Sequence, residues 1–158
     1  MTTDTHGLQE ELANAGTAHK AASERLDALR SQRAVLVAQG FKAGIPATEL
    51  AGHAGLSRQR LYLVRDIGLK QLEASAAPKE ITTDELLKSL MSIVTKLPVA
   101  EREKATTRAD LQRLIAQVAA DGQTPVSELA RLAGVSPEWT RKIRVHAGVK
   151  PRRYSPAK

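Results

Sequence analysis

The sequence contains no cysteine and only four aromatic residues, Phe41, Tyr62, Trp139 and Tyr154. Without cysteine the chain forms no disulfide and no thiolate metal site, which is typical of proteins in a reducing interior. No apolar run approaches the length of about 18 residues that a membrane span needs, and the first residues lack the pattern of a signal peptide. We therefore expect a soluble, intracellular protein.

The scarcity of aromatic rings also bears on the fold. The core has to be built from Leu, Val, Ile and Ala, a mixture that favours closely packed short helices. Valine and isoleucine do not alternate with polar residues over any strand-length run, so no β-strand is predicted. A chain of 158 residues is long enough for two small domains. The sequence therefore predicts an all-α fold.

Apolar residues at three- and four-residue spacings predict a long first helix over 8–37, with a break left open near Asn14 and Gly16. Glycine and proline in 40–46 end it, and two short helices are expected at about 47–54 and 58–66.

The second half is expected to repeat this plan. Thr83 is predicted to cap a helix that Pro98 ends, and Thr107 to cap the next helix. Thr124 is then predicted as a cap, with Pro125 at the first helical position.

Two stretches are nearly the same at an offset of 79 residues: TELAGHAGLSRQRLYLVR begins at Thr48, and SELARLAGVSPEWTRKIR begins at Ser127. In each copy a glycine, Gly55 or Gly134, is expected to end one helix at positive φ. A serine, Ser57 or Ser136, is expected to cap the next helix.

The residues expected to face inward in the two copies are Leu50, Ala54, Leu61 and Val64, and Leu129, Ala133, Thr140 and Ile143. Thr140 occupies the place of Leu61 and is a poorer core residue.

The net charge of +7 is unevenly distributed along the chain. Basic residues gather after each repeated glycine, and from Arg131 onward Glu138 is the single acidic residue. Basic charge that is localised on particular helices and on a tail indicates a polyanionic partner.

The repeated Ala-x3-Gly pattern, with an apolar residue and a serine after the glycine, resembles the helix-turn-helix of bacterial DNA-binding regulators. In that motif the second helix enters the major groove of DNA. The resemblance implies two small helical domains, each containing a helix-turn-helix and joined by a linker. The expected division is a first domain at 1–70, a linker at 71–82, a second domain at 83–148 and a basic tail at 149–158.

By position, the resemblance assigns base reading to Arg58, Gln59, Tyr62 and Leu63 in the first copy, with Arg60 and Arg65 flanking them. In the second copy it assigns Pro137, Glu138, Arg141 and Lys142, with Trp139 and Arg144 flanking them. Arg58 suits guanine, Gln59 suits adenine and Glu138 suits the amino group of cytosine.

Further contacts are expected with the sugar-phosphate backbone and the minor groove. Helix starts at Thr48, Ser57, Thr124 and Ser136 suit phosphate oxygens. Arg152 and Arg153 are either a minor-groove arm or part of a solvated tail. Trp139 either covers the core or presses against the backbone of DNA.

The two copies keep the same corner but differ in their outward residues, so each is expected to prefer different bases. One chain with two unlike reading helices can bind an asymmetric site of roughly 10–16 bp as a monomer. This architecture resembles the immunity repressors of temperate actinobacteriophages, including mycobacteriophages. The resemblance implies a repressor that silences lytic transcription during lysogeny.

Other interpretations stay open at this stage. A sigma-like factor, a recombination or partition accessory protein and a protein–protein adaptor can share such corners. The near-heptad stripe of the first helix fits either a dimeric coiled coil or packing within its own domain.

Catalysis and cofactor binding are not expected. The four histidines, His6, His19, His53 and His146, lack metal-ligand spacing. No nucleophile–base set, phosphate loop or paired carboxylates stand out. The sequence therefore predicts neither an enzyme nor a cofactor, and it indicates no small-molecule ligand.

Overall fold

The computed structural model describes residues 4–75 and 80–149, and this part of the chain is helical without any strand. The prediction of an all-α fold is confirmed. The six helices are α1 (Thr5–Lys42), α2 (Ala47–Ala54), α3 (Arg58–Ala74), α4 (Thr83–Ala120), α5 (Val126–Ala133) and α6 (Pro137–His146).

The first helix, α1, is continuous through Asn14 and Gly16, so the break left open there does not occur. Its apolar stripe is buried along its whole length, at Leu12, Leu26 and Val37. These side chains pack against other helices of the same chain. The stripe is thus buried within the chain, but its part at Leu12 packs against residues 111–143, outside the expected first domain of 1–70.

The fourth helix, α4, corrects the prediction that Pro98 ends one helix and Thr107 caps another. It runs through both residues. A proline inside a helix removes a hydrogen bond and costs about 3 kcal/mol. Ile93, Leu97 and Ala100 are buried on either side of the exposed Pro98, so packing of this face holds the helix together.

The start of α4 also differs by one residue from the expected cap at Thr83. The Thr82 hydroxyl accepts from the Glu85 N–H, and the Glu85 carboxylate accepts from the Thr82 N–H, both at 3.3 Å. This reciprocal pair is a capping box.

The chain forms two compact units, and their boundaries differ from the expected domains. The central unit comprises Glu24–Arg102, and the terminal unit comprises the described parts of Met1–Ser23 and Glu103–Lys158. Helices α1 and α4 each contribute one part to each unit, because both helices bury apolar residues along their whole length. The boundaries therefore fall inside these helices and not at 71–82.

Each unit has its own aliphatic core. In the central unit the main cluster is Val37, Ile45, Leu50, Ala54, Leu61, Leu86 and Leu90. In the terminal unit it is Leu12, Leu111, Leu114, Ile115, Val118, Ala119, Leu129, Ala133 and Ile143. Both units are thus built alike: two segments of long helix support a pair of shorter helices.

The expected linker at 71–82 is partly helical. Helix α3 continues to Ala74, eight residues beyond its expected end, and Leu72 is buried in the central unit. Of the expected tail, only Val149 lies within the described residues.

Candidate nucleic-acid interface

The corner between α2 and α3 is formed by Gly55, Leu56 and Ser57. Gly55 has φ of 64°, and the Leu56 N–H donates to the Ala51 carbonyl at 3.1 Å. The Ser57 hydroxyl accepts from the Arg60 N–H at 3.3 Å. The predicted positive φ and serine cap are both confirmed, and together they start α3 at Arg58.

The corner between α5 and α6 repeats this geometry. Gly134 has φ of 67°, and the Val135 N–H donates to the Ala130 carbonyl at 3.0 Å. The Ser136 hydroxyl accepts from the Trp139 N–H at 3.2 Å. The same residue types therefore produce the same turn twice.

Beneath each corner the inward residues are buried as expected, except that Val64 is half-buried. Leu61 and Thr140, which occupy equivalent positions, are both fully buried. The Thr140 hydroxyl donates to the Ser136 carbonyl at 3.1 Å, which satisfies it within its own helix. A threonine is thus accommodated at a core position that holds leucine in the other copy.

Helix α3 exposes three residues of its first turn, Arg58, Gln59 and Arg60, and two large apolar residues, Leu63 and Ile67. The Leu63 side chain is 62% exposed. All of these side chains face outward, which is the orientation that the sequence predicted for each of them except Ile67.

Tyr62 and Arg65 are held more firmly than the other predicted residues of α3. The Tyr62 ring lies 5.8 Å from that of Phe41, and the Arg65 guanidinium lies 5.1 Å from both ring centroids. Arg65 also donates twice to the Asp66 carboxylate, at 2.9 and 3.1 Å. Intramolecular contacts therefore set the position of Arg65.

Helix α6 exposes a different set of residues: Pro137, Glu138, Arg141 and Lys142. Lys142 forms an ion pair with Glu138 at 3.3 Å. Arg144 is half-buried.

Trp139 packs against the core of the terminal unit, the first of its two expected roles. The Arg108 guanidinium lies 5.8 Å from the centroid of its ring.

The predicted phosphate contacts at Thr48 and Thr124 differ in outcome. Helix α2 is capped at Pro46, so Thr48 is its second residue and lies at the helix start, as expected. Helix α5 is capped at Pro125 without a side-chain hydrogen bond, so Thr124 precedes the cap. The prediction of a Thr124 cap was wrong by one residue, because Pro125 adopts extended backbone angles and the helix begins at Val126. Arg152 and Arg153 lie outside the described residues.

The structure adds basic residues that the repeat did not reveal, because they lie on the long helices. In the central unit, burial lowers the pKa of Arg33 most, and the positive charges of Arg30 and Arg60 lower it further. In the terminal unit, an open groove of about 450 Å³ reaches from Lys20, Lys104 and Arg108 to Ser136 at the start of α6. The sequence did contain a signal for these basic residues. The spacings Arg30–Arg33 and Lys104–Arg108 each place two cations on one face of a helix.

Within residues 4–75 and 80–149, no group of three or more His, Asp or Glu side chains is placed so that it could hold a metal ion. No helix of 4–75 or 80–149 is both long and apolar enough to cross a membrane. In the comparisons with known proteins, no family model, no curated protein and no solved structure matches this chain.

Proposed function

We propose that this chain is a sequence-specific double-stranded DNA-binding repressor, similar to a phage immunity repressor, that acts in the bacterial cytoplasm. The α2–α3 and α5–α6 corners act as two helix-turn-helix units, with α3 and α6 as the recognition helices. Each helix enters a major groove and presents its first-turn side chains to base edges.

The observation that supports this proposal most is the repetition of one corner with two different exposed faces. The backbone angles at Gly55 and Gly134 agree within 3°, and both serine caps form. The faces differ in charge and polarity: α3 presents Arg58, Gln59 and Leu63, whereas α6 presents Glu138, Arg141 and Lys142. Two recognition helices that bind different bases require the same turn geometry but different exposed side chains.

The proposed mode of binding follows from that difference. A dimer with identical reading helices favours a palindrome, whereas unlike helices in one chain favour an asymmetric site. The chain therefore binds as a monomer to a site of roughly 10–16 bp. Arg58 reads guanine, Gln59 reads adenine and Glu138 accepts from a cytosine amino group.

The deciding experiment is selection of binding sites from random duplexes by the purified chain, followed by footprinting and titration in graded salt. We expect one asymmetric footprint, one protein per duplex, and a logarithmic affinity that falls with log salt by about 0.9 per neutralised phosphate. A perfect inverted repeat with two proteins bound contradicts the monomer. The absence of any duplex-specific shift contradicts DNA binding and leaves the protein–protein adaptor.

A reporter controlled by the selected site then tests repression. We expect expression of the chain to reduce transcription from a promoter that overlaps the site. Increased transcription would instead identify a sigma-like factor or another activator.

A further inference from the structure

A group of three arginines in the central unit comprises Arg60 on the first turn of α3 and two residues of α1, Arg30 and Arg33. Arg33, on α1, is half-buried, and its Nε is buried without a hydrogen-bond partner. Leaving a buried charged donor without an acceptor is unfavourable. The position of Arg33 therefore needs an explanation other than the stability of the core.

The surroundings of Arg33 are predominantly basic. Arg30 precedes it by one turn of α1, and Arg60 lies on the first turn of α3. Burial lowers the pKa of Arg33 most, the charges of Arg30 and Arg60 lower it further, and Glu101 opposes them. Glu101 is also bound to Arg30 at 3.7 Å. Asp27 lines the same open cleft as Arg30 and Arg33. Three arginines thus face two carboxylates, which leaves positive charge beside the start of α3.

The corner itself does not require these arginines. At the corresponding positions 79 residues later, the terminal unit has Ala109, Gln112 and Trp139. It nevertheless forms the same turn and the same serine cap. The cluster is therefore a particular property of the central unit and not part of the shared scaffold.

We propose that Arg30, Arg33 and Arg60 form a phosphate-binding site that holds one DNA strand beside α3. The inference rests on the proposed function and extends the interface from the recognition helix to α1. A guanidinium offers several N–H donors in a planar fork that matches two phosphate oxygens. Phosphate thus supplies the opposite charge that this cluster lacks, and the Arg33 side chain has to turn outward for its buried Nε to gain an acceptor. This contact is independent of base sequence and adds to affinity alone.

The test is Arg33→Gln, the side chain that the terminal unit has at this place. The variant is titrated with the selected duplex between 50 and 200 mM salt, beside wild type, Arg33→Lys and Lys88→Gln. Lys88 is an exposed residue of α4 in the same unit, so its replacement removes the same charge elsewhere. We expect Arg33→Gln to reduce the salt slope by about 0.9, so that its loss of affinity is about 3.5-fold larger at 50 mM than at 200 mM. Arg33→Lys should keep most of the slope, and Lys88→Gln all of it.

The slope separates phosphate contact from damage to the fold. A smaller folded fraction lowers the affinity by a constant factor at every salt concentration and leaves the slope unchanged. We also expect Arg33→Gln to unfold at the same temperature as wild type or higher, because the cluster loses a repelling charge.

The two proposals fail in different ways. Specific binding by wild type with an unchanged slope for Arg33→Gln overturns the phosphate site and leaves the proposed function standing. An equal reduction in Lys88→Gln also overturns it, since any lost charge would then have the same effect. If wild type does not bind duplex at all, the proposed function and the phosphate site both fall.

Discussion

Gly68 of α3 lies so close to Ala34 of α1 that a Cβ at position 68 would overlap the Ala34 carbonyl group. Because Gly68 has only a hydrogen in this place, α3 continues past it along α1 and ends at Ala74. The equivalent residue in the terminal unit is Ala147, and there the helix ends at His146. The longer helix, α3, thus has glycine at the position where the shorter helix, α6, is followed by alanine.

The substitution Gly68→Ala should destabilise the central unit by about 1–3 kcal/mol, because the added methyl forces α3 away from α1. The free energy of unfolding from urea titration measures the effect. Gly52→Ala is the matched control, since Gly52 is an exposed helical glycine with open space around the position of a Cβ. That change should stabilise by about 0.4–1 kcal/mol. Equal losses in both variants would show that close approach at position 68 is not the cause.

The fully buried Thr140 yields a second prediction. Its hydroxyl bonds only to the Ser136 carbonyl, which also accepts the Thr140 N–H at 3.2 Å. Thr140→Val keeps the shape and leaves that carbonyl satisfied, so the free energy of unfolding should stay equal or rise by up to about 1 kcal/mol. Thr140→Ala also removes a buried methyl and should cost about 1 kcal/mol. A Val variant as unstable as the Ala variant would show that the hydroxyl itself stabilises the terminal unit.

The corners were predictable from sequence because their chemistry is local. A positive φ selects glycine, and unpaired amides at a helix start select serine, so Gly55, Ser57, Gly134 and Ser136 carry their own conformation. The exposure of Arg58 follows from this turn, because Arg58 is the first helical residue after the Ser57 cap.

The division into units was not predictable in the same way. An apolar stripe on α1 or α4 shows which face is buried but not which helices bury it. Pro98 has a strong local preference to end a helix, and buried residues on both sides override it. The arginines at positions 30 and 33 were missed for the same reason, since their relation to Arg60 depends on how α1 packs beside α3.

His19 should make the stability of the terminal unit depend on pH. Burial lowers the pKa of His19 below 6.5, and the charges of Lys104 and Arg108 lower it further. Between the folded-state pKa and 6.5, the unfolded chain binds more protons than the folded chain. The free energy of unfolding should therefore decrease as the pH falls below 6.5, and the His19 contribution should level off below the folded-state pKa.

The variant His19→Gln should flatten that dependence, as measured by urea titration at several pH values. The neutral ring contacts Thr107, whose oxygen lies 3.1 Å from Nδ1, and glutamine can keep a contact of this kind. His146→Gln, at an exposed residue of α6, serves as the control and should keep the slope of wild type. If His19→Gln retains the full slope, another group is responsible for it.

The assignment of base reading to Arg58 and Arg141 predicts that each substitution weakens binding and alters the preference at a different base pair. Arg58→Ala and Arg141→Ala should each weaken binding to the selected site by about 1–3 kcal/mol and relax the preference at one base pair. The two relaxed positions should lie in different halves of the site, since the residues belong to different units. Competition titrations with every single-base variant of the site measure this. If a variant keeps the full base preference of wild type, the arginine that was replaced does not read a base.

The exposed Leu63 gives the most specific prediction about base chemistry. Its 62% exposed side chain stands on α3 one turn after Gln59, so within the proposed complex it meets the floor of the major groove beside Gln59. The apolar group presented there is the methyl of thymine. Replacing the contacted thymine by deoxyuridine removes only that methyl and should weaken wild-type binding by about 0.8 kcal/mol, or roughly fourfold. Leu63→Ala should bind both duplexes nearly equally, whereas Val99→Ala, at an equally exposed residue of α4, should discriminate like wild type. Discrimination that survives in Leu63→Ala at every thymine of the site would show that another side chain reads the methyl group.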